Sequence, residues 1–291
     1  MFIDIHVHSR LVHGFKRHGK DAYTVPEQLL ERYDAVGIES GAVLPSVNPE
    51  CIYAPQSIED ILYMAEKYPG RFIPFCNVDP RALTNSVDAP LGDFLSFYKD
   101  KGCKGIGEVA PNMPFLHPLM LNLFKHAERV GLPLTFHLAP AIGGRYGIYD
   151  DPGLPQLEAV LRSYPKLVFL GHSQTFWAEI GRLRTPGDRW GYPSYPVDEE
   201  GVIPHLMRRY PNLYGDLSAG SGCNALSRDP EYAVKFLNEF QDRLLFGTDI
   251  CTPDTPTPLV DFLLDLRNSS KISEAVFQKV ARENAIKVLN L

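Results

Sequence analysis

The chain has 291 residues, 44% of them hydrophobic and 22% charged, which is enough apolar material for a large core and excludes a disordered chain. Its 35 acidic residues outnumber 29 basic ones for a formal net charge of −6, with no basic run, which argues against a nucleic-acid partner. No stretch approaches the roughly 18 apolar residues of a membrane span, and the start Met1-Phe2-Ile3-Asp4 has neither a basic leader nor a long apolar segment, so a cytoplasmic protein is expected.

The first element is Phe2-Ile3-Asp4-Ile5-His6-Val7-His8. Ile3, Ile5 and Val7 alternate with Asp4, His6 and His8, which predicts a strand with both histidines on one face. Their Cα atoms would lie about 6.6 Å apart, near enough for both imidazoles to reach one ion. A pair of solvent-facing histidines on an edge strand would read the same way. Seven further apolar runs follow, at 41–45, 71–78, 105–109, 132–138, 167–172, 213–218 and 244–249. Their ends are spaced by roughly 30 to 45 residues, about one strand–helix unit.

Helices are predicted between them at 57–68 behind a Ser57 cap, then at 91–101, 117–130, 154–164, 203–210, 230–240, 257–268 and 273–289. Tyr68-Pro69, Tyr164-Pro165 and Tyr210-Pro211 mark helix exits, because proline cannot continue a helix and pushes the preceding residue out of the helical region. Eight strands alternating with helices predict one (β/α)₈ TIM barrel over residues 1–291. A doubly wound open sheet is the weaker reading, since no glycine-rich phosphate loop follows the first strand. Two connections are long, 9–24 and 173–200, and both follow strands that carry histidine. In a barrel such loops lie over the catalytic face.

Metal-ligand residue types fall at the predicted strand ends: His6 and His8 on the first, Glu108 on the fourth, His137 on the fifth, His172 on the sixth and Asp249 on the eighth. Imidazole and carboxylate are the usual ligands of zinc and similar divalent ions. Alone, His137 reads as a core histidine and Asp249 as a turn cap. Together, at the barrel end where active sites form, they imply a functional metal site. The five cysteines are scattered without a Cys-x-x-Cys pair, which argues against a disulfide framework or a zinc knot. Cys251 follows the Asp249 strand closely enough to line a pocket, although each cysteine reads first as a small buried thiol.

His6-x-His8, His137, His172 and Phe246-Gly247-Thr248-Asp249 resemble the amidohydrolase superfamily of metal-dependent barrels, and Glu283-Asn284-Ala285 in the last helix is similar to its usual C-terminus. The likeness covers nearly the whole chain. It is strongest for the amidohydrolase-related branch, which holds hydrolases of lactones, esters and amides beside nonoxidative decarboxylases such as aminocarboxymuconate semialdehyde decarboxylase. The resemblance implies that His6, His8, His137 and Asp249 bind one divalent ion, zinc first and manganese as the other candidate. His172 then ligates a second ion or faces substrate as acid, base or oxyanion donor. Asp249 would take the proton of a metal-bound water, whose pKa zinc lowers towards about 7. Lys104-Gly105-Ile106-Gly107-Glu108 resembles the fourth-strand motif of TatD-type barrels, where a glutamate bridges two metals. The other reading of Glu108 is a hydrogen-bond partner of a histidine or a substrate hydroxyl, so one or two ions stay open.

His172-Ser173-Gln174-Thr175 stands where the decarboxylases often have a His-Met-Gly-Glu-like run, and Ile250-Cys251-Thr252-Pro253 where they tend to have an aromatic-proline pair. Both departures weigh against decarboxylation, and the acidic balance weighs against a TatD-like nuclease. The expected activity is hydrolysis of a small carboxylated lactone, ester or amide by metal-bound hydroxide. The alternatives are nonoxidative decarboxylation of an aromatic or unsaturated acid, and a barrel that binds metal or ligand without catalysis. Candidate substrate walls are Arg145 and Tyr146, whose loop could clamp a carboxylate through the guanidinium fork, with Asn77, Trp177, Arg10, His13 and Arg17. The expected partner is a small molecule, and homo-oligomerisation is left open.

Overall fold

Eight parallel strands separated by helices form the framework of the computed structural model, which describes residues 1–17, 19–51 and 56–291. They are β1 (Phe2–Val7), β2 (Ile38–Val43), β3 (Phe72–Pro74), β4 (Ile106–Val109), β5 (Leu134–Ala139), β6 (Phe169–His172), β7 (Leu213–Asp216) and β8 (Leu244–Leu245). Parallel pairing runs β1–β2–β3 and β4–β5–β6–β7–β8. Main-chain hydrogen bonds join the two sets at both seams. Cys76 N donates to Gly105 O and Gly107 N to Cys76 O between β3 and β4. Ile5 N donates to Phe246 O, Asp249 N to His6 O and His8 N to Ile250 O between β1 and the continuation of β8. The ring is therefore closed, and the fold is the TIM barrel that the strand–helix alternation predicts.

Local chemistry sets the element boundaries. The Ser57 side chain accepts from Asp60 N at 3.0 Å and starts the helix Ile58–Lys67. Tyr68, Tyr164 and Tyr210 each end a helix, as their following prolines require. The helix Pro26–Val36 is not among those predicted, although its signals are present: proline in the first turn, buried Leu29 and Tyr33 on one face, and Gly37 closing it at φ +75°. Two more unpredicted helices, Gln174–Ala178 and Ala219–Ser227, follow β6 and β7. The predicted last helix is Glu274–Gln278 and Asn284–Leu289, joined by a π-helical stretch Lys279–Glu283. Among the described residues, no helix is long and apolar enough to cross a membrane.

The expected alternation along β1 fails partway. Ile3 and Ile5 pack in an inner cluster with Ala42, Ile73, Leu170 and Leu245, whereas Val7 belongs to the larger cluster that includes the helices. The register against β2 slips between Asp4 and Val7. A bulge, rather than simple period two, places both histidines at the barrel mouth.

Candidate metal centre

At the C-terminal ends of the strands the six expected donors converge. His6 Nε2 and His8 Nε2 are 3.2 Å apart. Glu108 divides its carboxylate between two groups of histidines. Its Oε2 lies 3.9 Å from His6 Nε2 and 3.6 Å from His8 Nε2, and its Oε1 lies 2.7 Å from His137 Nδ1 and 3.7 Å from His172 Nε2. Asp249 divides in the same way: Oδ1 is 3.8 Å from His6 Nε2 and 3.6 Å from His8 Nε2, while Oδ2 is 3.8 Å from His172 Nε2. Donors around an ion with bonds of about 2.0–2.2 Å stand about 3–3.6 Å apart, so the spacing fits shared coordination.

Three of the four imidazoles are oriented from behind. His6 Nδ1 donates to Asp216 Oδ2 at 2.7 Å, and His8 Nδ1 donates to Leu44 O at 2.8 Å. His172 Nδ1 meets Ser218 Oγ at 2.9 Å. These bonds fix the ring planes and leave the Nε2 atoms turned to the centre. The β1–β8 seam is braced by Asp4, which is fully buried. Asp4 Oδ1 accepts from His6 N at 3.0 Å and Thr248 N at 2.9 Å, and Oδ2 accepts from Thr248 Oγ1 at 2.5 Å and Tyr33 OH at 2.8 Å. Just past it the chain turns at Asp249, whose φ of +53° is a left-handed conformation that Asp tolerates better than most residues. Glu108 needs its preceding glycine: Gly107 has φ +152°, and a Cβ there would lie 2.9 Å from Thr135 Cβ.

Electrostatics favour a cation. Among the described residues no lysine or arginine pairs with Glu108, Asp216 or Asp249; their ion-pair partners are histidines. Burial would lower the His6 pKa, but the Asp216 carboxylate outweighs it, with help from Asp249 and Glu108, and carries it up to about 10. Burial and the charge on His6 push His172 down to about 4. Burial would raise Glu108, yet the neighbouring His137 holds it well below the usual carboxylate range. With protons as the only cations, the pocket already concentrates positive charge on His6, and a divalent ion would replace that proton. Donor chemistry, spacing and charge all fit a metal.

Asp216 is the contributor that sequence reading missed. Its signal was an acid near the end of the seventh run, but only the fold shows it under His6. Two expected substrate walls lie within the packing. Asn77 is buried and spends its amide on Pro45 O and Glu108 O, at 3.0 and 2.7 Å. Trp177 is 1% exposed, packs edge-on against Phe176 and Phe236, and donates its indole N–H to Asp216 O at 2.8 Å. Both side chains brace the floor from within the packing.

Arg145 and Tyr146 are at the rim. The Tyr146 ring centroid is 4.5 Å from that of His137, and the Arg145 guanidinium lies over Trp190 at 5.1 Å. This loop presses close because Gly147, at φ +110°, passes where a Cβ would be 2.8 Å from His137 Cδ2. In the first loop His13 pairs with Asp21 at 3.3 Å, and Arg10 folds against Gly14. The Arg17 side chain lies outside the described residues.

A closed parallel barrel with imidazole and carboxylate donors gathered at its C-terminal mouth defines an α/β barrel with a candidate metal site. The chain belongs to the amidohydrolase family, whose model matches residues 3–291, and members of this family are metal-dependent enzymes. Comparison with curated protein sequences gives no match. Among solved structures, an uncharacterised TIM-barrel protein from Bordetella bronchiseptica is similar at 19% identity and TM-score 0.66, covering 99% of this chain and 98% of that one. A probable 2-pyrone-4,6-dicarboxylic acid hydrolase from Acinetobacter baumannii, with citric acid bound, matches at 12% identity and TM-score 0.62, covering 100% and 99%. The 5-carboxyvanillate decarboxylase from Sphingomonas paucimobilis matches at 14% identity and TM-score 0.61, covering 100% and 99%.

Proposed function

We propose that the protein is a hydrolase with two divalent ions, zinc first, acting on a small carboxylated lactone, ester or amide. The observation that carries this reading is the division of Glu108 and Asp249, each with one oxygen towards His6 and His8 and the other towards His172; Glu108 also meets His137. Carboxylates so placed suit a pair of ions, and ion pairs serve hydrolysis by polarising a carbonyl and lowering the pKa of water.

The residues of the chain divide the remaining work. Asp249 has the more open carboxylate, 24% exposed against 12% for Glu108, so it faces incoming water as well as the centre. It takes the proton of the attacking water as the new C–O bond forms. It returns that proton to the departing alkoxide or amine as the scissile bond breaks. Arg145 makes no ion pair among the described residues and stands on the rim beside Tyr146, where its guanidinium fork suits a substrate carboxylate. One structural neighbour is named as a probable hydrolase of a dicarboxylic acid, which agrees with this class.

Isotope labelling separates this reaction from decarboxylation, for which other neighbours are named. In ¹⁸O-labelled water a carboxylated lactone should yield a hydroxy acid carrying one solvent oxygen. Release of CO₂ with no ¹⁸O in the organic product, and with deuterium at the vacated carbon when the reaction is run in D₂O, would establish the decarboxylase instead.

A further inference from the structure

A thiol stands at the edge of the donor cluster. Cys251 Sγ lies 3.6 Å from Asp249 Oδ1, which is itself 3.6 Å from His8 Nε2. Ligand atoms of His8, Asp249 and Cys251 all lie within 4.8 Å of one another. Imidazole, carboxylate and thiol thus face one point on the β1–β8 side of the mouth. Cys76, Cys103 and Cys223 are buried, whereas Cys251 is half-buried. Its main chain is fixed, with Thr24 N donating to Cys251 O at 2.6 Å and Cys251 N to Thr255 Oγ1 at 3.4 Å.

An ion with bonds of about 2.0–2.3 Å spans opposed donors up to about 4.4 Å apart. The His8–Asp249–Cys251 set is therefore at the edge of one ion's reach, and a displacement of a few tenths of an ångström, about the width of thermal motion, brings it inside. We propose that Cys251 is a thiolate ligand of the ion held by His8 and Asp249, and that it makes the centre select thiophilic zinc over manganese. This rests on the metal-centre reading above. On coordination the S–H proton leaves to solvent and a sulfur lone pair enters the bond, with no change of oxidation state. Manganese favours oxygen donors, whereas zinc accepts sulfur readily, so one thiolate added to an imidazole–carboxylate set tips the choice between ions.

Cobalt(II) makes the bond visible. Chelator-stripped protein reloaded with cobalt should show a near-ultraviolet sulfur-to-cobalt charge-transfer band beside the visible ligand-field bands. In Cys251→Ser that band should vanish while cobalt stays bound and the ligand-field bands persist. Zinc–manganese competition should shift about tenfold towards manganese in the same variant. Cys251→Ala serves the same purpose if the serine variant fails to fold. Bound cobalt without the charge-transfer band, or a band that survives both substitutions, would overturn the thiolate assignment and leave the metal centre standing. Failure to bind cobalt at all would overturn both.

Discussion

On the floor of the barrel mouth every imidazole except His137 is held from behind by a buried partner: Asp216 under His6, Leu44 O under His8 and Ser218 under His172. On the rim, Arg145, Tyr146, Trp190 and Tyr192 are exposed, with the Arg145 guanidinium over the Trp190 ring and the Tyr146 ring beside that of His137. The rim loops are anchored at their bases. There the buried Arg189 pairs with Glu179 at 2.9 Å and donates to Asp150 O at 3.0 Å, tying the loop after β5 to the loop after β6. Under the proposed function, ion binding and proton transfer fall to a rigid floor built from strand ends, and substrate choice falls to loops that could change without disturbing it.

Four changes break or sharpen that division. The largest effect is expected from Asp249→Asn, which removes the proton carrier and should lower kcat/KM by about 10²–10⁴-fold with the fold intact. Activity within a few-fold of the parent, at matched metal content, would remove Asp249 from that role. Next is Asp216→Asn. Asp216 supports His6 from the side away from the centre, so the variant should weaken metal binding by about 10–100-fold in a chelator competition, while the circular-dichroism spectrum stays unchanged. Unaltered affinity would mean that the His6–Asp216 bond is only structural.

Arg145→Ala should raise KM by about 10–100-fold for carboxylated substrates, the worth of a charged hydrogen bond, and leave kcat within a few-fold. Equal losses for an uncarboxylated ester would show that the loop, not the charge, was what mattered. The smallest test is pH. The Asp216 carboxylate, with Asp249 and Glu108, carries the His6 pKa up to about 10, and an ion must take the Nε2 lone pair that holds this proton. Metal affinity should therefore rise with pH, by about tenfold per unit across the neutral range, with one proton released at His6. Calorimetry in two buffers of different ionisation enthalpy counts that proton, and a flat affinity would exclude His6 as a ligand.

Much of the barrel was legible in the chain, because eight apolar runs at regular spacing with Tyr-Pro exits admit few other architectures. The six donors were legible for a related reason: polar residues capable of ligation stand at strand ends where apolar ones would be cheaper to bury. Side-chain direction was less accessible. Asn77 and Trp177 sit just past strand ends, and only the folded structure shows their hydrogen bonds going to backbone carbonyls. The bulge in β1 and the left-handed turn at Asp249 re-aim side chains in ways that period two cannot anticipate. Asp216 was unreadable as a His6 partner because the two residues are 210 positions apart and meet only across the closed ring.

The most direct test of the central claim is the number of divalent ions per chain, measured by mass spectrometry on protein purified without chelator and again after saturation with zinc. The carboxylates that divide between two groups of histidines predict close to two ions per chain, lost on chelation together with hydrolytic activity. Saturation at one ion would contradict the two-ion reading, and failure to bind any would contradict the metal centre itself.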